Sequence, residues 1–118
     1  MFKKSCFALL LMIAPAFAEP PNIDHVSARQ SANGTWRFDV TISHPDTGWN
    51  HYADAWRVLD MDGNELGIRQ LAHPHVDEQP FTRSLSGVRI PQGVTRVQIQ
   101  ARDKPGGWNS QTRVFNLP

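Results

Sequence analysis

A strict alternation of apolar and polar residues is the feature that most restricts how this chain can fold. Apolar side chains occupy every second position from Trp36 to Ile42, directly after an Asn33-Gly34 turn signal, and again from Val97 to Ala101. Successive side chains of an extended strand point to opposite faces, so this spacing gives each segment one apolar face. No segment after residue 18 has a helical period. The pattern therefore predicts an all-β fold.

Short strands separated by turn residues recur along the whole chain. Asp62-Gly63 marks a tight hairpin, and Pro91-Gln92-Gly93 marks another turn. Seven antiparallel strands are predicted, at Ile23–Arg29, Thr35–Ile42, Ala55–Asp60, Glu65–Leu71, Phe81–Ile90, Val94–Arg102 and Gln111–Leu117. Seven short strands with turns at this spacing favour a two-sheet sandwich of the immunoglobulin or fibronectin III class over residues 19–118.

Two stretches carry a resemblance to fibronectin III-like domains. Val97-Gln98-Ile99-Gln100-Ala101-Arg102-Asp103, followed by Gly106-Gly107-Trp108-Asn109-Ser110, resembles the sixth strand and the loop after it. Trp56-Arg57-Val58-Leu59-Asp60, before Asp62-Gly63, resembles the third strand and its turn. The tyrosine common near the start of the sixth strand is absent, and Val94 and Val97 stand there. The resemblance implies a fold and no particular function.

The first 18 residues have the pattern of a secretory signal peptide. Lys3 and Lys4 precede an apolar run from Phe7 to Ile13, and Ala16-Phe17-Ala18 places small residues where a signal peptidase cleaves. We expect cleavage after Ala18 and a periplasmic or secreted product without a membrane span. Cys6 precedes the apolar run, so it is not placed as a lipoprotein anchor, and cleavage removes the only cysteine.

The charge of the remaining chain argues against nucleic acid as a partner. Two of the twelve basic residues lie in the signal, so residues 19–118 carry ten basic and eleven acidic side chains, a formal charge of −1. Binding to nucleic acid requires a basic stripe, which this composition lacks. Without cysteine, disulfides and thiolate ligands are also excluded.

All five histidines are predicted to lie at or beside loops at one end of the sandwich. If each strand reverses the direction of the one before it, the segments after Ser43, Leu71 and Arg102 share one end. That end would hold every histidine together with several acidic and aromatic residues: His25, His44, His51, His73, His75, Asp46, Trp49, Tyr52, Asp77, Glu78, Asp103 and Trp108. The turns at the opposite end contain no histidine.

This one-ended set of histidines predicts a metal site. His73 and His75 flank Pro74, which favours an extended backbone and so places both imidazoles on one side. His51 is the expected third ligand. The expected fourth ligand is Asp77, Glu78 or His44, and His25 is a peripheral candidate. Nitrogen and oxygen ligands without thiolate suit Cu(II) or Zn(II), and Met61 lies at the far end. The alternative is a proline-rich loop with solvated histidines.

The expected role is metal sequestration, or delivery to a periplasmic protein. This outline is similar to that of the small periplasmic copper-resistance sandwiches, which also place histidine and carboxylate at a sandwich edge. A second hypothesis is a fibronectin-like module that binds a protein or glycan through Trp49, Tyr52 and Trp108. A third is an accessory subunit of an enzyme. The chain shows no nucleophile motif or cofactor loop, so we do not expect catalysis.

Overall fold

A computed structural model describes residues 19–118, and these fold into two packed antiparallel β-sheets. The predicted signal peptide lies outside the described residues. The eight strands are β1 (Asn22–Gln30), β2 (Trp36–Ser43), β3 (Tyr52–Leu59), β4 (Glu65–Gln70), β5 (Phe81–Val88), β6 (Arg96–Lys104), β7 (Gly107–Trp108) and β8 (Arg113–Asn116). The all-β prediction is confirmed for the described residues. None of them forms a helix, so this part of the chain offers no helical span of a membrane.

The first sheet has the order β1-β2-β5, and the second has the order β4-β3-β6-β7 with β8 also paired to β6. The alternating residues of β2 and β6 supply much of the core between the sheets, as their period predicts. Phe38, Val40, Val97 and Ile99 are at most 1% exposed, and Trp56 of β3 is fully buried among them. Burying this apolar surface is the main favourable contribution to the sandwich.

Two sequence expectations need correction. The structure has eight strands instead of seven, because Gly107–Trp108 pairs with β6 inside a segment that was expected to be a loop. Tyr52 was assigned to the loop before the third strand, but it is the first residue of β3 and is buried. The pairing of Tyr52 with Lys104 extends both strands towards the end of the sandwich.

The strand register places the histidine-bearing segments at one end of the molecule. Asn22 pairs with Ser43 and Ile42 with Phe81, so β1 starts, β2 ends and β5 starts at the same end of the first sheet. Tyr52 pairs with Lys104, and β4 ends beside the start of β3, at one end of the second sheet. Hydrogen bonds from Ala53 and His75 to Asp46 join these two sheet ends. We call this end the rim.

Candidate metal centre

His44 is the central side chain of the rim. It follows the last residue of β2, and its imidazole is fully buried. Its Nδ1 lies 2.5 Å from Oδ1 of Asp46. An ionised carboxylate can only accept a hydrogen bond, so Nδ1 donates to Asp46, and the lone pair of the neutral ring then lies on Nε2. That Nε2 has no hydrogen-bond partner.

Asp46 is a buried carboxylate that holds three segments together. Besides the imidazole of His44, its Oδ1 accepts the backbone N–H of Ala53 at 3.0 Å, and its Oδ2 accepts the backbone N–H of His75 at 2.8 Å. A carboxylate that orients a histidine in this way fixes its tautomer and makes the other ring nitrogen a better metal ligand.

Asp103 faces His44 from the second sheet. Its Oδ2 lies 3.4 Å from Nε2 of His44, and neither of these buried atoms has a hydrogen-bond partner. Burial raises the pKa of the Asp103 carboxyl above its ordinary value of 3.8, and the nearby His44 and His51 only partly oppose this effect. With no proton on either atom, these two atoms face each other as unpaired buried acceptors, which is unfavourable unless a cation lies between them. This pair is therefore suited to a cation.

Gly106 allows the Asp103 carboxylate to take this position. A Cβ atom on residue 106 would lie 2.7 Å from Oδ1 of Asp103, closer than a real Cβ contact. Any side chain there would push the carboxylate aside. Gly106 thus has a steric role beside the candidate site.

His51 completes a group of three ligands. It closes a tight turn: its backbone N–H donates to the carbonyl of Gly48 at 3.0 Å, and its carbonyl accepts the N–H of Thr47 at 2.9 Å. Its ring is half-buried, and its centroid lies 4.8 Å from that of His44. One ligand atom from each of His44, His51 and Asp103 lies within 4.8 Å of the other two. Two imidazoles and a carboxylate are a donor set that suits Cu(II) and Zn(II).

His73 and His75 come close to each other but belong to no such group of three among residues 19–118. Their ring centroids are 4.7 Å apart, and His75 stacks on Phe81 at 3.9 Å. Nε2 of His75 lies 2.8 Å from Nη2 of Arg83, which can only donate, so the lone pair of His75 is already used. Burial, and then Arg83, lower the pKa of His75 below its ordinary value. Metal binding by this pair stays a prediction.

The other predicted ligands lie further out on the surface. Asp77 is exposed, Glu78 lies 3.8 Å from Arg83, and His25 is an exposed residue of β1. Of the five histidines, the structure thus brings His44 and His51 together around one carboxylate.

The three aromatic side chains proposed for partner binding differ in their surroundings. Trp49 is 63% exposed and contacts the buried Tyr52 edge-on, with ring centroids 5.6 Å apart. Trp108 is half-buried, and the guanidinium groups of Arg57 and Arg102 lie 3.8 and 4.9 Å from its ring centroid. Trp49 is therefore the aromatic that offers most surface to a partner.

Asp103 and Asp46 were placed at the rim by sequence reasoning but were not selected as functional residues. The signal for Asp103 was its position, because it continues the inward-facing series Val97, Ile99 and Ala101 of β6. A carboxylate on a core-facing position is costly unless it has a partner. The signal for Asp46 was weaker: it stands two residues from His44 in a short loop.

The chain is similar to a protein of Halomicrobium mukohataei whose name is "Putative lipoprotein". The two are 36% identical over 95 residues, which are 80% of this chain and 46% of the relative, so the chain spans about half of that protein's length. No protein-family model and no solved structure matches the chain.

Proposed function

We propose that this protein is an exported β-sandwich that binds a transition metal ion, Cu(II) or Zn(II), through His44, His51 and Asp103. The observation that carries the proposal is the pair of facing, buried and unpaired acceptor atoms, Nε2 of His44 and Oδ2 of Asp103, with His51 beside them. A divalent cation would satisfy both atoms at once. The matching role is sequestration of the ion, or its delivery to a periplasmic protein.

Two further observations support parts of this proposal. The signal-peptide pattern, together with the name of the relative, supports export. The division of the strands between the sheets supports an immunoglobulin or fibronectin III-like topology. In that topology strands A, B and E share one sheet, as β1, β2 and β5 do here, and strands C, F and G share the other, as β3, β6 and β8 do.

Calorimetric titration of the purified protein with Cu(II) and Zn(II) tests the proposal. We expect micromolar or tighter binding of one ion per chain. Asp103→Asn, which keeps the size of the side chain, and His51→Ala should each weaken binding at least tenfold, the scale of even an indirect contribution to a metal site. His25→Ala is the matched control because His25 is an exposed histidine of the same sheet end.

A double variant, His73→Ala/His75→Ala, separates the two candidate ligand sets. Millimolar binding by the unaltered protein would contradict metal binding altogether. If the double variant loses binding while Asp103→Asn and His51→Ala both keep it, the ion is bound by the His73/His75 pair, and the proposed site at His44, His51 and Asp103 is refuted.

The exposure of Trp49 supports a second candidate function, a module that binds a glycan or peptide through Trp49, Tyr52 and Trp108. A flat aromatic ring next to solvent can stack on a sugar or pack on an apolar side chain. Screening the protein on a glycan array and a peptide array should then reveal ligands whose binding falls about tenfold or more in Trp49→Ala, as for a central interface aromatic. The exposed Met61→Ala is the control. Arrays without a ligand, or ligands insensitive to Trp49→Ala, would contradict this function.

A further inference from the structure

Two side chains connect His44 to His75, and each of them bonds to both residues. Asp46 accepts Nδ1–H of the His44 ring and the backbone N–H of His75. Gln79 accepts the backbone N–H of His44 with Oε1 at 3.0 Å, and donates from Nε2 to the backbone carbonyl of His75 at 2.9 Å. The ring and backbone of His44 are thus tied to both backbone groups of His75.

Further contacts hold His75 itself in place. Its ring stacks on Phe81 at an interplanar angle of 11°, and its Nε2 accepts a hydrogen bond from Arg83. The surrounding segment from Leu71 to Pro80, called here the β4–β5 loop, has no regular secondary structure of its own. It nevertheless carries the exposed His73 and Val76. The β4–β5 loop is therefore attached to His44 and Asp46 through its residues Gln79 and His75, and most of its other residues are exposed.

We propose that Asp46 and Gln79 are positioning residues through which metal occupancy at His44 is coupled to the order of the β4–β5 loop. The proposal rests on the proposed metal site. A cation on Nε2 draws electron density from the imidazole, so Nδ1–H becomes a stronger donor to Asp46. The Asp46 carboxylate is then held more firmly, and with it the N–H of His75.

The same connection acts in the opposite direction. Coupling between two sites is a free energy that each exerts equally on the other. When the β4–β5 loop loses the bond from His75 to Asp46 and the bond from His44 to Gln79, His44 is less constrained, and the metal is bound more weakly. The loaded and empty forms of the protein thus differ at an exposed loop some distance from the buried ion.

Amide hydrogen exchange measured by NMR, with and without saturating Zn(II), tests this coupling in the full-length product after export. The reporter is the N–H of His75, which donates to Asp46. We expect zinc to slow its exchange by about tenfold, a value within the usual range for coupled sites. The N–H of Gly34, in the turn at the opposite end, is the internal reference and should not change.

Gln79→Ala removes both bonds made by Gln79. We expect it to lower zinc affinity by about tenfold, to reduce the zinc-dependent protection of His75, and to alter the electron paramagnetic resonance spectrum of bound Cu(II). A merely structural role would lower thermal stability and leave that spectrum unchanged. Gln30→Ala is the matched control, because it removes a bond of the same kind, from Nε2 to the carbonyl of Gly34 at 3.0 Å.

Gln79→Glu serves if the alanine variant does not fold. It keeps an acceptor for the N–H of His44 and removes only the donor to His75, so the zinc-dependent protection should still fall. Zinc binding seen by calorimetry without any change at His75, or a Gln79 variant with the original affinity and spectrum, would overturn the coupling and leave the metal site standing. Absence of zinc binding would refute both.

Discussion

At the scale of single residues, we expect Asp103 to affect both the proposed metal binding and the stability of the metal-free protein. Burial raises the pKa of its carboxyl, and its Oδ2 has no hydrogen-bond partner in the fold. In Asp103→Asn, the side-chain amide can donate to Nε2 of His44. We expect the metal-free variant to be more stable than the original protein by about 1 kcal/mol, the usual value of one hydrogen bond.

The pH dependence of this difference follows from the direction of the pKa shift. The folded state keeps a proton on Asp103 that the unfolded state has already lost, so the unfolding free energy falls as pH rises from 3.8 through the raised folded value. Urea unfolding in the presence of a chelator, measured at a series of pH values, should show this fall in the unfolding free energy of the original protein. In Asp103→Asn the fall should be smaller. The exposed turn residue Asp62→Asn is the control. A variant that is less stable near neutral pH would mean that the carboxylate pairs with a protonated His44.

At the scale of strands and loops, the sequence predicted regular elements well and short irregular ones poorly. Each of the seven predicted strands overlaps an observed strand, because a period of two reports directly which face of a strand is buried. Gly107–Trp108 was missed because two residues are too few to show a period. Tyr52 was assigned to a loop because a register shift between Ala53 and Ala55 breaks the alternation at the start of β3.

The sequence predicted which end of the sandwich holds the candidate site. It named only some of the residues that meet there, since His44 and His51 were expected ligands and Asp103 was not. The direction of successive strands was enough to bring His44, His51 and Asp103 to one end. Which of the rim residues come into contact depends on how the two sheets pack. The alternation of residues along a strand carries no information on the distance between side chains of different sheets. The His73-Pro74-His75 motif was the clearest local signal, yet in the structure its buried member bonds to Arg83.

At the scale of the whole molecule, the candidate ligands come from both sheets. His44 follows β2 of the first sheet, whereas Asp103 lies in β6 of the second, and His51 stands just before β3. An ion bound to all three would therefore cross-link the two layers at the rim, where the apolar core between them ends. Such an ion binds the folded state and has no preformed site in the unfolded chain, so its binding free energy adds to stability.

Thermal unfolding followed by circular dichroism should therefore depend on the metal. Free Zn(II) or Cu(II) at about 100 times Kd should add about 2.7 kcal/mol to the unfolding free energy. For a domain of this size that corresponds to a rise in Tm of about 10 to 20 °C. The rise should remain in His25→Ala and fall to about half or less in His51→Ala at the same metal concentration, each variant being compared with its own metal-free Tm. An unchanged Tm in the original protein at a saturating metal concentration, or an equal rise in His51→Ala, would show that no ion joins the two sheets at this site.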